Sequence, residues 1–188
     1  MIPGVHIYID GVIKEGDKVV KKVRKQKGHS FVKQFAQILL TRLAAFSSST
    51  TLDITNTARA DYPAYSLDIG GAANDDLHGL VIGSNATGVT INDYTLNTKI
   101  AHGVNAGQLQ YSAVTAGLPT SDTTSSYFVI TRVFTNGSGG NVSINEIGIY
   151  AYQSVGYYFC LSRDVLAATI TLTNGQNLTL NYTIKATI

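Results

Sequence analysis

Over residues 141–188 apolar and polar residues alternate with almost no helical spacing. Val142 and Ile144 run in one phase and Ile147 and Ile149 in another, with the change at Asn145 and Glu146. Such a slip predicts a strand carrying a bulge. Farther on, residues 169–173 and 177–188 alternate about Asn174 and Gly175, a pair suited to the positive φ of a tight hairpin. The C-terminal third therefore reads as one antiparallel sheet. Near the N-terminus, Val5 to Ile9, then Asp10 and Gly11, then Val12 to Lys14 read as a hairpin, and Glu15 to Asp17 as a further turn before Lys18 to Arg24. In that last strand alternation would keep Val19 and Val23 inward. Phe31, Phe35, Ile38, Leu39, Leu43 and Phe46 recur at helical spacing behind Ser30, whose hydroxyl can cap the first turn. Strand patterns return at 79–83, 108–114 and 127–135, giving eight or more strands at sandwich spacing.

The pattern divides the chain into a basic hairpin region (1–28), an amphipathic helix (29–47) and a β-sandwich domain (48–188) with a long loop at 52–77. The expected fold is mainly β: an antiparallel, jelly-roll-like sandwich with one helix near the N-terminus. With 188 residues, one core of full size is possible.

Charge sharpens this division. Residues 1–42 hold nine of the fourteen Lys and Arg against three acids, a net of +6, and residues 43–188 carry −4. Lys18, Lys21, Lys22, Arg24 and Lys25 are candidate interface residues, able to meet an acidic protein surface or to form a solvated strand face. Nucleic acid is the weaker partner, because no aromatic residue interleaves with these cations for base stacking. Tyr62 and Tyr65 flank Pro63 in the long loop and are candidate inter-subunit contacts.

Candidate chemistry is sparse. The single cysteine, Cys160, cannot form an internal disulfide or begin a thiolate metal site. His6, His29, His78 and His102 lack close ligand spacing, and Asp75 and Asp76 lack the rest of a calcium loop. No cofactor is implied, and no enzyme is expected. Glu146, alone on an apolar strand, must reach a donor; Arg132 and Arg163 are its candidate partners. No apolar segment reaches the roughly 20 residues of a membrane span, and no leader pattern opens the sequence.

Several of these segments, in their order, resemble a family. Gly79-Leu80-Val81-Ile82-Gly83-Ser84, then Asn92-Asp93-Tyr94-Thr95-Leu96, then Asn145-Glu146-Ile147-Gly148-Ile149-Tyr150, then Leu161 to Val165 and Asn174 to Tyr182 follow the layout of a widespread group of tailed-phage virion structural proteins. The resemblance implies a virion component made in the host cytoplasm without a signal peptide and placed on the capsid surface or the tail. Capsid decoration, as a minor capsid protein, is the first reading; a tail, neck or fibre component, with carbohydrate binding as an option, is the second. Implied partners are the chain itself, as a homo-oligomer with a trimer favoured, and the major capsid protein or tail and neck proteins; no membrane partner is implied and a glycan is an option. Glu146, Gly148, Arg163, Asn174 and Gly175 are the motif residues, and their expected role is structural.

Overall fold

The computed structural model describes residues 4–28, 30–44, 49–61, 63–154 and 156–188. Their elements, in chain order, are β1 (Gly4–Glu15), β2 (Lys18–Gly28), α1 (Lys33–Ala44), β3 (Ser49–Leu52), β4 (Ala58–Asp61), β5 (Leu67–Asp68), β6 (Gly79–Gly83), β7 (Gln110–Tyr111), β8 (Thr115–Ala116), β9 (Thr120–Ser121), β10 (Ser125–Thr135), β11 (Val142–Gln153), β12 (Tyr157–Leu172) and β13 (Gln176–Thr187). The fold is mainly β, with two antiparallel sheets packed as a sandwich. One sheet runs β2-β1-β13-β10, with β7, β8 and β9 beside β10. In the other, β11 lies between β12 on one side and β5 and β6 on the other, and β3 and β4 form a separate hairpin. Inward side chains of both sheets, among them Ile9, Leu80, Ile82, Phe134, Ile147, Leu178 and Leu180, make one hydrophobic core.

Four sequence expectations change here. First, the segment set apart as 1–28 is two strands of the larger sheet, since β1 pairs with β13 from Gly4↔Thr187 to Glu15↔Gln176. Asp10 and Gly11 lie inside β1, and the reversal falls at Gly16, with φ of 56°. Gly11 is required by closeness instead: a Cβ there would stand 2.3 Å from the Thr179 carbonyl oxygen. Second, Asn174 and Gly175 do turn the chain, with φ of 85° at Gly175, but they carry it from one sheet to the other. β12 and β13 are not hydrogen-bonded neighbours. This arch is tied to the loop before β11: Gly175 N–H donates to Asn136 O, and Gly139 N–H to Asn174 Oδ1. Third, Val19 is exposed at the free edge while Val23 packs against the core.

The fourth change concerns the helix, which begins at Lys33. Ser30 does not cap it; its carbonyl instead accepts the Arg163 N–H. Phe31 stacks on Phe35 with ring centroids 4.0 Å apart and bridges to Ser162, ahead of the helix. The face turned inward is Gln34, Ile38 and Thr41, and Leu39, Leu40 and Leu43 are exposed. Each outward leucine forgoes about 1.5–3 kcal/mol of burial, so α1 contributes far less to the core than its spacing promises. Phe46 and Tyr62 lie outside the described residues.

Candidate functional site

Three of the motif residues, Glu146, Gly148 and Arg163, converge beneath the surface, whereas Asn174 and Gly175 are exposed in the arch. The phase change at Asn145 is a bulge of unequal arms: between the pairs Ile144↔Ile170 and Glu146↔Val165, one residue of β11 faces four of β12. Glu146, just past this bulge, lies on the face of β11 turned away from the other sheet and beneath residues 93–98, and there meets Arg163 on β12, whose Nε donates to Glu146 Oε2 at 2.7 Å. Arg163 also donates through Nη1 to Asp93 Oδ2 at 2.8 Å and through Nη2 to Thr87 O at 2.9 Å. Glu146 accepts the N–H groups of Asn97 and Thr98. Glu146 and Arg163 are wholly buried and Asp93 partly so, and every charge of the trio is paired and hydrogen-bonded, the condition under which burial of ions is tolerable. The network pins residues 87–98 across the outside of β11.

Burial alone would raise the Asp93 carboxyl; hydrogen bonds from Thr90 and the Arg163 guanidinium outweigh it and hold the group below its ordinary value. Asp76 is held low in the same way by Lys99 and the His102 N–H, and Asp53 by Thr55 and Arg59. Groups with depressed folded-state values stabilise the fold fully above the ordinary value of 3.8 and lose that contribution as pH falls below it. A melting temperature that is level near neutrality and falls steeply below about pH 4 is expected. In Asp93→Asn the acid limb should be shallower and the neutral-pH melting temperature lower. An acid limb identical to that of the parent would refute the assignment.

Gly148, the next position on the same face, has no room for a side chain: a Cβ would lie 2.7 Å from the Ser162 carbonyl oxygen and 3.0 Å from Leu96 Cδ2. Gly148→Val should cost about 1–3 kcal/mol in denaturant unfolding, and an unchanged midpoint would remove the close approach from the account. Cys160 is wholly buried, and burial pushes its thiol far up, which disfavours the thiolate.

Arg132 did not join Glu146. Only 1% exposed, it spends five N–H groups on five main-chain carbonyls: Ser112, His78, Leu80, Ala72 and Asp75. Its guanidinium also lies 4.8 Å from the Tyr111 ring centroid. One side chain on β10 thus fastens the segment 72–80 to the sandwich.

The surface has two distinct sides. On one, the edge strand β2 lies over the edge strand β12, joined by Ala167 N–H to Gln26 Oε1 at 2.7 Å. β2 carries six cations, Lys18, Lys21, Lys22, Arg24, Lys25 and Lys27. Its pairing with β1 slips between Ile9↔Gln26 and Gly11↔Val23, so Arg24 and Lys25 together face Asp10. This second bulge stands across from the one at Leu166 to Thr169, and a groove of about 370 Å³ opens between them. Ile13, Val23, Ala167, Ala168 and Ile170 line it with apolar surface, and Lys21, Lys22, Arg24 and Lys25 supply charge. The sequence had marked the cations, while Ala167 to Thr169, which break the alternation of β12, were its unread signal.

The opposite side carries β5 and β6. There Tyr152 of β11 and Tyr158, at the end of β12 remote from the groove, lie 5.3 Å apart by ring centroid, and His78 lies 5.7 Å from Tyr152. Carboxylates flank His78: Asp68 Oδ2 is 3.6 Å from Nε2 and Asp75 Oδ2 is 3.8 Å from Nδ1. Tyr65 is half-buried in the turn before β5, so the structure separates it from the β2 cations. Among the described residues no group of three or more His, Cys, Asp or Glu side chains is placed to hold a metal ion. Comparison with family models, with curated proteins and with solved structures finds no match.

Proposed function

We propose that this chain is a non-enzymatic structural protein of a virus particle, a capsid decoration or minor capsid protein that works by adhesion as a homo-oligomer. The observation that carries the reading is the open side of the sandwich. An edge strand with unpaired main-chain groups is a template for further pairing. Here it bears six cations and borders a groove with an apolar lining. The buried charges support the same reading from within, because Glu146, Arg163, Asp93 and Arg132 spend their hydrogen bonds on holding loops in place.

A tail, neck or fibre component that binds glycans is the second reading, favoured by the tyrosine pair beside Asp68 and Asp75, since aromatic faces and carboxylates together suit sugar rings and hydroxyls. Two measurements test the proposal. Mass spectrometry of particles purified from cells carrying the encoding genome should find the chain at a copy number comparable to shell or tail proteins. Light scattering after gel filtration should give a multiple of the 20.1 kDa chain mass. Particles that lack the chain would refute the virion role, and a monomer at every concentration would refute the homo-oligomer.

A further inference from the structure

We infer that copies of this chain join head to tail, the basic groove between β2 and β12 of one copy receiving the acidic, tyrosine-bearing side of the next. This rests on the homo-oligomer reading above and specifies its interface.

Topology sets the two surfaces apart along β12: Ala167 to Ile170, under β2, line the groove, whereas Tyr158 stands near the strand's other end, paired with Tyr152 of β11 beside β5. The segment 72–80 is fastened by Arg132 on β10, three strands away from β2. One surface of a copy therefore cannot meet its own complement, but it can meet that of a neighbour in a heterologous contact.

Chemistry makes the surfaces complementary. Within the loop region, Asp53 is paired with Arg59, Asp61 with Arg42 and Asp76 with Lys99. Among the described residues, Asp68, whose side chain is 57% exposed, and Asp75 have the His78 ring but no Lys or Arg within ion-pair distance. Beside them stand the half-buried rings of Tyr152 and Tyr158. Carboxylates next to aromatic faces receive Lys and Arg side chains, by charge and by cation–π attraction. The molecule already uses that pairing, with Lys25 Nζ 4.5 Å from the Tyr8 ring centroid and the Arg59 guanidinium 4.4 Å from that of Tyr157. The groove offers the matching cations on β2, and its apolar lining suits the flat faces of tyrosines. A nucleic-acid strand would find the cations without any aromatic side chain lining the groove to stack on.

The test uses the full chain, light scattering at about 50 and 500 mM salt, and two variants altered only at side chains outside the core. One is Lys21→Glu/Lys22→Glu/Arg24→Glu and the other Asp68→Lys/Asp75→Lys, each checked for native circular dichroism. The parent should associate at low salt and weaken about tenfold or more at high salt. Each variant alone should be monomeric, and an equal mixture should associate again, because every contact between the two then pairs opposite charges. If the triple reversal fails to fold, Lys22→Gln/Arg24→Gln replaces it and should weaken association without abolishing it. Parental assembly in either variant, or a mixture that stays monomeric, would overturn the interface. A salt-resistant oligomer untouched by both variants would keep the homo-oligomer and overturn only the head-to-tail contact, whereas a monomeric parent overturns both. A parent that gains mass only with an added single-stranded oligonucleotide would assign the groove to nucleic acid and overturn the inference.

Discussion

Replacing Arg132 by methionine is expected to cost on the order of 4 kcal/mol or more in denaturant unfolding, among the largest effects of any single substitution here. Methionine fills much of the same volume but offers no donor. The carbonyls of Ser112, His78, Leu80, Ala72 and Asp75 would then lose their shared partner in a region that water reaches poorly. Arg132→Lys separates charge from geometry. An ammonium keeps the charge but has three donors, so it can satisfy three of the five acceptors at best. Its loss should fall between the parent and Arg132→Met. Hydrogen exchange gives the second readout: amides of residues 72–80 should exchange faster in both variants, while those of the β1 and β13 ladder should change only as much as global stability does. If Arg132→Lys matched the parent, charge alone would explain the site and the fivefold capture would be incidental.

Glu146 and Arg163 should give the second large effect. Arg163→Met leaves Glu146 buried, and Asp93 partly buried, without their cation, and Glu146→Gln leaves Arg163 with Asp93 as its one carboxylate. Loss of one partner of a buried pair costs about 3–5 kcal/mol. Glu146→Gln should be the milder, since the amide oxygen can still accept from Asn97 or Thr98. The double variant should be less damaged than the sum of the singles, and the difference, read from a double-mutant cycle, measures their coupling. Additive losses would mean that the two residues act separately.

That pair was half legible in the sequence: a lone carboxylate on an apolar strand has few ways to be satisfied, but Arg132 and Arg163 were equally open as its partner until the fold set Arg163 on the adjoining strand. The bulge at Asn145 was legible for a related reason: a strand cannot change phase without one. Arg132 was not, since its partners are main-chain carbonyls, which every residue possesses and no side-chain pattern announces. Asn174 and Gly175 announced a turn but not its destination, because the same positive φ serves a hairpin and an arch between sheets. The helix misled most. Spacing ranks Leu39 and Leu43 inward by hydrophobicity, yet the inward face is decided by what lies beneath, and there Gln34 and Thr41 meet the sheet side. The basic strand was visible as charge, whereas the groove beside it needed two bulges from strands more than a hundred residues apart to be seen together.

The place of β1 has a consequence for the order in which the protein is built. β1 lies between β2, which follows it at once, and β13, which arrives some 170 residues later. The hairpin of β1 and β2 can close early, as a local event. Its other edge must wait, and so must β10, whose long partner is also β13. The seven-stranded sheet is thus completed by one late strand inserted between two that are already waiting. Closing so long a loop delays the reward for ordering it, which places this chain among slow-folding β proteins. Until β13 arrives, the early strands present adhesive edges inside the nascent chain.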